Sequence, residues 1–318
     1  MTVLVVGGAG YIGSHTCKAL KEKGFAVVVY DNLQNGHKWA AAYGTLVVGD
    51  LHNDSLLDQT FKTYKPNAVL HFASSIDCRA SMKDPGSYYH NNVVGSLALL
   101  EAMHTNNVLK LVFSSTAAVY GHPQSDKLSE SHPCAPVNVY GNTKWMVEEI
   151  IHDFERAHGF SSVILRYFNA AGADPGGELG EAHDPETHLI PLALKVALGK
   201  QSHLNLFGDG SSIRDYIHVT DLADAHVKAL EWLLSGKESM TFNLGTGKGH
   251  SLLDVLSAVE KVAGKPVKRE MMPKNPAEPQ TLVADPAKAM NLLNWKPLHS
   301  DLETIVSTAY AWHAKENK

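Results

Sequence analysis

The chain has 318 residues, of which 44% are hydrophobic and 19% charged, and its formal net charge is −5. This composition excludes a disordered chain, and the acidic balance excludes binding to nucleic acid or an anionic membrane through a bulk basic surface. The three cysteines form no Cys-x-x-Cys pair and no apolar run approaches the roughly 20 residues of a membrane span, so we expect a cytoplasmic globular protein.

The first half of the chain alternates short apolar runs with amphipathic stretches. Strands are predicted for residues 2–6, 25–30, 47–48, 68–72, 109–113 and 163–167. Helices are predicted for an amphipathic stretch that ends at Lys23 and for residues 55–64, 87–106 and 142–158. Apolar strands separated by helices indicate a parallel sheet covered on both faces, and right-handed crossovers make it doubly wound. The predicted fold class is therefore α/β of the Rossmann type.

The pattern changes after about residue 170, where Gly, Pro and acidic residues become frequent. Loops are predicted for residues 171–185 and 271–280, helices for 191–198, 221–234 and 252–262, and strands for 204–207 and 241–244. We assign residues 1–170 to a first domain and residues 171–318 to a smaller α/β lobe that holds the substrate. We leave open whether parts of about residues 215–245 return to the first domain.

Three glycines stand between the first strand and the first helix. Gly7, Gly10 and Gly13 lie in the segment Gly-Gly-Ala-Gly-Tyr-Ile-Gly. Glycines at this spacing permit a tight turn and let backbone N–H groups at the helix N-terminus approach a pyrophosphate. A glycine-rich turn without a ligand can have the same spacing, but the strand–turn–helix setting favours a dinucleotide site.

Two acidic residues support a dinucleotide. Asp31 ends the second predicted strand, where a carboxylate accepts hydrogen bonds from ribose hydroxyls and repels a 2′-phosphate. We therefore expect NAD rather than NADP, with an ordinary surface aspartate as the alternative. Asp50 follows the third strand and is placed to reach the adenine, although a loop carboxylate explains it nearly as well.

Tyr140 and Lys144 are four residues apart, a spacing that brings two side chains to one face of a helix. A free tyrosine has a pKa near 10, and an adjacent cation favours the phenolate and lowers that pKa. Tyr140 is therefore predicted to take a proton from a substrate hydroxyl, whereas the spacing alone would equally fit a packed tyrosine and a solvated lysine. Thr116, at the end of a strand, supplies the hydroxyl of the usual triad. Ser114 and Ser115 are also explained as caps in a turn.

These motifs are similar to those of the extended short-chain dehydrogenase/reductase superfamily. Over nearly its whole length the chain resembles, within that superfamily, the UDP-glucose 4-epimerase family. The resemblance is carried by long and specific segments, namely residues 7–16 (Gly-Gly-Ala-Gly-Tyr-Ile-Gly-Ser-His-Thr), 30–33 (Tyr-Asp-Asn-Leu), 71–73 (His-Phe-Ala), 91–93 (Asn-Asn-Val), 114–121 (Ser-Ser-Thr-Ala-Ala-Val-Tyr-Gly), 165–169 (Leu-Arg-Tyr-Phe-Asn), 187–191 (Thr-His-Leu-Ile-Pro) and 214–219 (Arg-Asp-Tyr-Ile-His-Val).

The resemblance implies tightly bound NAD as cofactor, a UDP-hexose as substrate and inversion at sugar C4 through a 4-keto intermediate, without net redox change. It implies as catalytic residues Tyr140, Lys144 and Thr116. It implies as cofactor contacts Gly7, Gly10, Tyr11, Ile12, Gly13, Asp31, Asn32, Asp50, Leu51, Phe72, Ala73, Asn91, Ser114, Tyr140, Lys144 and Tyr167. It implies as substrate contacts Thr116, Tyr140, Asn169, His188, Leu189 and Arg214.

Two further expectations concern partners. The resemblance suggests a homodimer formed through the helices of residues 87–106 and 142–158. The 18 histidines show no pair at ligand spacing with nearby acids, so we predict no metal. Neither a membrane nor nucleic acid is expected as a partner.

Three segments depart from the 4-epimerase pattern, all near expected phosphate contacts. Residues 207–214 are shorter than usual, and residues 274–278 stand where the family has an arginine-containing segment, so that Lys274 could replace the missing arginine only in part. Residues 74–79 replace a stretch that usually holds a lysine or an acid. These departures leave the hydride chemistry intact and the sugar open, with UDP-pentose, UDP-uronic acid and UDP-N-acetylhexosamine as alternatives. Leu282 occupies a position expected to limit sugar size.

Other activities on the same fold fit less well. A nucleotide-sugar dehydratase needs an acid pair directly after Thr116, where this chain has Ala117 and Ala118. A net reductase would gain from a basic residue after Asp31, where Asn32 stands. A non-catalytic NAD-binding sensor would have no use for the tyrosine, lysine and threonine together.

Overall fold

The computed structural model of the protein describes residues 1–274 and 279–315. The strands in these ranges are β1 (Thr2–Val6), β2 (Ala26–Asp31), β3 (Thr45–Val48), β4 (Ala68–His71), β5 (Lys110–Thr116), β6 (Ser161–Tyr167), β7 (Asn169–Ala171), β8 (Leu204–Phe207), β9 (Ile213–Arg214), β10 (Tyr216–His218), β11 (Met240–Leu244), β12 (His250–Ser251), β13 (Arg269–Met272) and β14 (Thr281–Leu282).

The α-helices in the same ranges are α1 (Tyr11–Glu22), α2 (Asp54–Tyr64), α3 (Cys78–Lys83), α4 (Pro85–Tyr88), α5 (Gly95–Thr105), α6 (Val139–His158), α7 (Leu189–Ala197), α8 (Val219–Leu234), α9 (Leu252–Ala263), α10 (Ala287–Leu292) and α11 (Leu302–Ala314). A π-helical segment, Tyr89–Val94, joins α4 to α5. Within the described ranges we find no helix whose length and apolar character would let it span a membrane.

Seven strands form one fully parallel sheet in the order β11-β6-β5-β4-β1-β2-β3. The chain winds outward from β1 in both directions, so the strand order reverses between β1 and β4. Ligands of such sheets bind at the carboxyl ends of the strands beside this reversal. The predicted α/β doubly wound fold class is confirmed.

Side chains of each strand alternate between two cores, because successive residues of a strand point to opposite faces. Val3 and Val5 pack in a core with α1 and α8, while Leu4 and Val6 pack in a second core with α2, α5 and α6. All four are fully buried, and each stabilises the fold by about 1.5–3 kcal/mol relative to exposure. The apolar strands are thus covered on both faces by helices.

The second half of the chain builds short sheets around a separate core. β7 pairs with β10, β8 pairs with β13, and β9 lies between β12 and β14. Helices α7, α9 and α11 pack over these strands through buried aliphatic side chains such as Leu194, Val255 and Val306. β11 instead lies beside β6 in the large sheet, and α8 packs against α1.

Several predicted element boundaries need correction. The predicted start of a helix at residue 142 is wrong, because Asn138 accepts a hydrogen bond from the Gly141 N–H (2.8 Å) and caps α6, which begins at Val139. The single helix predicted for residues 87–106 is interrupted by the π-helical segment. The predicted loop at 271–280 begins within β13, and its residues 275–278 lie outside the described ranges.

Candidate active site

A cavity of about 560 Å³ opens at the carboxyl edge of the large sheet, within the size range of small-molecule sites. Residues at or directly after the carboxyl ends of six parallel strands, β1 to β6, contribute to its wall, and the segment before α7 closes the other side. The wall includes most of the predicted site residues: Gly7, Gly10, Tyr11, Ile12, Gly13, Asp31, Asn32, Asp50, Leu51, Phe72, Ala73, Asn91, Thr116, Tyr140, Tyr167, Asn169, His188 and Leu189. Three predicted residues lie outside the wall that the described residues form, namely Ser114, Lys144 and Arg214.

The glycine turn packs closely against neighbouring backbone. Because its glycines have no side chains, the cavity side of the turn stays open to a ligand. Gly7 has a φ of +79°, and a Cβ there would lie 2.4 Å from the backbone nitrogen of Ala73. A Cβ on Gly13 would lie 2.3 Å from the carbonyl oxygen of Gly7. Helix α1 begins directly after this turn, and Gly10 gives it no side-chain cap. Its first N–H groups are therefore presented to the cavity, as a bound diphosphate requires.

Two carboxylates stand beside the turn. Asp31 accepts hydrogen bonds from the backbone N–H groups of Ala9 (2.9 Å) and Leu33 (2.8 Å). Burial raises the pKa of Asp31, and these two bonds oppose that shift. Burial also works against ionisation of Asp50, but hydrogen bonds from the His52 backbone and from Asn32 (2.8 Å) lower its pKa to about 2. Both groups are positioned to accept hydrogen bonds from sugar or base groups at this end of the cavity.

The π-helical segment lines the middle of the cavity. Asn91 donates from its amide to the Ser75 hydroxyl (3.2 Å) and to the side-chain oxygen of Asn92 (2.9 Å). Asn92 accepts from the Ser75 N–H (2.8 Å) and donates to the Thr143 hydroxyl (2.9 Å). This network ties the segment to the loop after β4 and to α6. A π turn of this kind is frequent at functional sites.

The tyrosine, lysine and threonine meet where β5 ends and α6 begins. Tyr140 and Thr116 line the cavity, each only 8% exposed. Burial raises the pKa of Tyr140 well above its usual value of 10, while a hydrogen bond with the Thr116 hydroxyl opposes this shift. Lys144 is buried and donates to the carbonyl oxygen of Ser114 (2.9 Å). Burial lowers the pKa of Lys144 to about 7, and Glu148 opposes that shift.

The predicted effect of Lys144 on the pKa of Tyr140 stays a prediction, because it includes the positive ring of a bound cofactor. In the protein alone, burial dominates at the phenol. The Lys144 ammonium lies behind the cavity wall, where it faces a carbonyl oxygen and the ring of Phe113 (4.8 Å to the ring centre). A cationic ring bound next to Tyr140 would favour the phenolate.

Two buried serines lie near the end of β5. His226 donates from Nδ1 to the carbonyl oxygen of Leu222 (2.8 Å), so its Nε2 accepts the hydroxyl proton of Ser114 (2.9 Å). Ser115 donates to Glu148. Ser114 is not in the cavity wall that the described residues form, and its predicted contact with a cofactor stays a prediction.

A model of the NAD dependent epimerase/dehydratase family matches residues 3–245 of the chain. The chain belongs to this family. The UDP-glucose 4-epimerase of Rhizobium meliloti (strain 1021) is 49% identical over 322 aligned positions, which cover 99% of this chain and 98% of that protein. The predicted resemblance to UDP-glucose 4-epimerases is confirmed.

Two solved structures of the same family share the fold closely. The UDP-glucose 4-epimerase from Brucella ovis in complex with NAD is 45% identical, with a TM-score of 0.95 over 98% of this chain and 97% of that chain. The enzyme from Bifidobacterium longum in complex with NAD+ and UDP is 35% identical, with a TM-score of 0.95 over 99% and 98% of the two chains. The agreement extends over both halves of this epimerase-family chain.

Three of the predicted substrate residues of this epimerase-family chain, Asn169, His188 and Leu189, lie in the cavity wall. Asn169 is on β7 and His188 precedes α7. Arg214 lies on β9, where its Nη1 donates to the carbonyl oxygen of Ile213 (2.8 Å). Lys274, which could replace the missing arginine only in part, donates to Gln280, and residues 275–278 of that segment lie outside the described ranges. Leu282 packs in a cluster with Phe168 and Ala284 and is not in the wall formed by the described residues.

Sequence reasoning missed part of the cavity wall of this family member. The missed residues include Gln34, Asn35, Tyr88, Glu181, His183 and Tyr216, whereas Ser75, Ile76, Asp77 and Cys78 belong to the segment 74–79 that was expected near phosphate contacts. Gln34 and Asn35 follow β2, and their place at the carboxyl edge of the sheet could have pointed to them. The stated reason for predicting no metal is also wrong. Glu181, His183, Glu186 and His188 lie within eight residues and bring their ligand atoms within 4.8 Å of one another.

Proposed function

We propose that this protein is a UDP-glucose 4-epimerase that uses NAD. The observation that carries the proposal is the meeting of Tyr140 and Thr116 on the wall of a cavity that begins at the glycine turn. Ala117 and Ala118 follow the threonine, so the acid pair required for elimination of water is missing at this position. The names of the relatives support the same reaction.

The cavity residues fit NAD. A Cβ on Gly7 or Gly13 would collide with neighbouring backbone, so the turn keeps its close packing and leaves the N-terminus of α1 for the diphosphate, while Asp31 offers acceptors for ribose hydroxyls. We assign to the cofactor the residues Gly7, Gly10, Tyr11, Ile12, Gly13, Asp31, Asn32, Asp50, Leu51, Phe72, Ala73, Asn91 and Tyr167. Bound NAD supplies a reversible hydride acceptor at sugar C4.

In the proposed mechanism Tyr140 takes the proton of the sugar 4-hydroxyl and later returns it to the same oxygen on the inverted sugar. Thr116 orients that oxygen through its hydroxyl. Lys144 stays behind the wall, where it fixes the end of β5 through the Ser114 carbonyl and adds positive potential near the phenol. General acid–base catalysis of this kind, with the sugar held in place, accounts for the rate.

Substrate contacts are proposed at the lobe side of the cavity. Asn169, His188 and Leu189 line the wall there and are assigned to the sugar diphosphate. Arg214 is also assigned to phosphate oxygens, because Tyr216, two residues later, lines the cavity and the chain at Arg214 therefore passes its edge. We further propose a dinucleotide-binding domain of residues 1–170 and a substrate lobe of residues 171–318, with β11 and α8 packed on the first domain.

The purified protein is expected to interconvert UDP-glucose and UDP-galactose without added NAD. The physical reason is that the hydride is returned in every cycle, so a tightly held cofactor is never consumed. Product identification by chromatography, with a panel of nucleotide sugars, is the measurement. Activity restricted to a UDP-pentose, a UDP-uronic acid or a UDP-N-acetylhexosamine would contradict the substrate assignment and leave the mechanism standing. Absence of turnover on every sugar would contradict both.

We also propose a homodimer in the cytoplasm. Val94, at the end of the π-helical segment, and Met146, on α6, are apolar and exposed (47% and 38%), and they lie on the two helical regions expected at the interface. The cytoplasm is favoured by three cysteines without a disulfide pattern. Sedimentation equilibrium is expected to give twice the chain mass of 34.5 kDa, and a mass of one chain would contradict the dimer.

A further inference from the structure

A cluster of two histidines and two glutamates lies in the segment between β7 and α7. The segment is held at its start and where the cluster begins: the Tyr11 hydroxyl donates to the Gly172 carbonyl oxygen (2.6 Å), and the Trp312 indole donates to the Glu181 carbonyl oxygen (2.9 Å). Four side chains each bring one ligand atom within 4.8 Å of the others, namely Glu181, His183, Glu186 and His188.

The two carboxylates of this cluster need a cation. The Glu181 and Glu186 side chains are only 3% and 2% exposed, and their facing oxygens lie within 4.8 Å of each other. Two buried carboxylates at this distance repel strongly when nothing positive lies between them. Among the described residues, their ion-pair partners are His183 and His188 rather than a lysine or arginine. Without a metal, the two histidines can supply this positive charge when they are protonated. As neutral ligands they leave a charge of −2 on the two carboxylates, which one divalent cation balances.

The geometry also suits a metal. Nδ1 of His183 lies 3.0 Å from Oε1 of Glu181 and 3.8 Å from Oε1 of Glu186, and Nδ1 of His188 lies 3.9 Å from the same Glu186 oxygen. Bonds of about 2.0–2.2 Å in a tetrahedral zinc site separate ligand atoms by roughly 3.3–3.6 Å, which lies between these values. Small shifts of the four side chains would therefore bring their ligand atoms to bonding distance from one ion.

The hydrogen bonding of two of the ligand atoms also supports a metal site. Nδ1 of His183 is shielded from solvent and has no hydrogen-bond partner among the described residues, although a carboxylate oxygen is near it. A lone pair in that position is available to a metal. Oε1 of Glu186 accepts the backbone N–H groups of Thr187 (2.8 Å) and His188 (2.9 Å). Such supporting bonds hold a ligating carboxylate in place.

We propose that Glu181, His183, Glu186 and His188 bind one Zn²⁺ ion in a four-coordinate site. Two imidazoles and two carboxylates favour zinc over Mg²⁺ or Ca²⁺, which prefer oxygen ligands only. The ion ties the segment into one loop at the cavity wall, beside the Tyr11 ring, whose centre lies 6.3 Å from that of His183. This site is structural and separate from the proton transfer at Tyr140. His188 would bind the ion through Nδ1, which leaves its Nε2 for the proposed contact with the sugar diphosphate.

The test uses the full chain without a histidine tag, stripped with a chelator and then titrated with ZnCl₂. Calorimetry followed by metal analysis after gel filtration is expected to show about one tightly held Zn²⁺ per chain and a raised melting temperature. His183→Ala and the isosteric Glu181→Gln are each expected to weaken zinc binding by at least about tenfold. MgCl₂ in place of ZnCl₂ is expected to bind weakly or not at all.

The matched control is His152→Ala, which removes an imidazole that lies 2.9 Å from a single carboxylate, that of Glu155. It is expected to leave the zinc stoichiometry and affinity unchanged. Circular dichroism checks that each variant folds. If His183→Ala does not fold, Glu181→Gln alone tests the proposal. The proposal is overturned if the wild type retains no zinc after gel filtration, or if either folded variant binds zinc as tightly as the wild type. The second result would show adventitious binding elsewhere.

Discussion

Replacing Tyr140 with phenylalanine is expected to lower kcat by about 10²- to 10⁴-fold, the usual contribution of a positioned acid–base group. The phenol is the polar group of α6 that reaches the cavity beside Thr116, and the ring would still fill its place after the hydroxyl is removed. Removal of one oxygen leaves the glycine turn and Asp31 untouched, so bound NAD should remain. A coupled epimerase assay measures kcat, and the absorbance of denatured samples measures the NAD that each chain retains.

Tyr64→Phe is the matched control, because Tyr64 ends α2 and is absent from the cavity wall that the described residues form. It loses the same hydroxyl and is expected to keep the activity of the wild type. Full turnover by Tyr140→Phe would end the assignment of this phenol as the base. Loss of NAD from that variant would instead show that the tyrosine acts through cofactor binding.

The large sheet could be predicted from the sequence because its strands are buried on both faces. A strand such as β1 must then be apolar throughout, and a run of this kind is visible without any knowledge of partners. The lobe is different. Its strands β9, β12 and β14 have two residues each, and they form only where distant segments pair. Helix α11 was not predicted either, since its apolar side chains pack into the lobe core and leave a weak pattern.

Within the site, prediction worked where a residue type is required by the backbone or by its position on the sheet. Gly7 has a positive φ, and a Cβ there would collide with the backbone of Ala73. Only glycine fits this position, so the requirement is visible in the sequence. The environment of Lys144 could not be read in the same way. Its partner is a carbonyl oxygen thirty residues earlier in the chain, and only the packing of α6 on β5 brings the two together.

Breaking the buried ion pair beneath α6 should strongly destabilise the fold. Arg166, on β6, donates from Nε to both carboxylate oxygens of Glu148 (3.1 Å each) and from Nη2 to one of them (2.5 Å). Glu148 is completely buried and also accepts the hydroxyl proton of Ser115. Glu148→Gln leaves the guanidinium buried without a counter-charge, so the free energy of unfolding is expected to fall by about 3–5 kcal/mol. Urea denaturation followed by circular dichroism measures this change.

The double variant Glu148→Leu, Arg166→Met separates loss of charge balance from loss of packing. Removing both charges avoids the uncompensated guanidinium, so this variant is expected to lose less stability than Glu148→Gln. Some loss should remain, because Arg166 also donates to the Tyr120 hydroxyl (3.1 Å) and that bond is broken. Equal or greater destabilisation of the double variant would contradict the ion-pair argument. It would show that α6, and with it Tyr140, is held mainly by the shape and hydrogen bonds of these two side chains rather than by their charges.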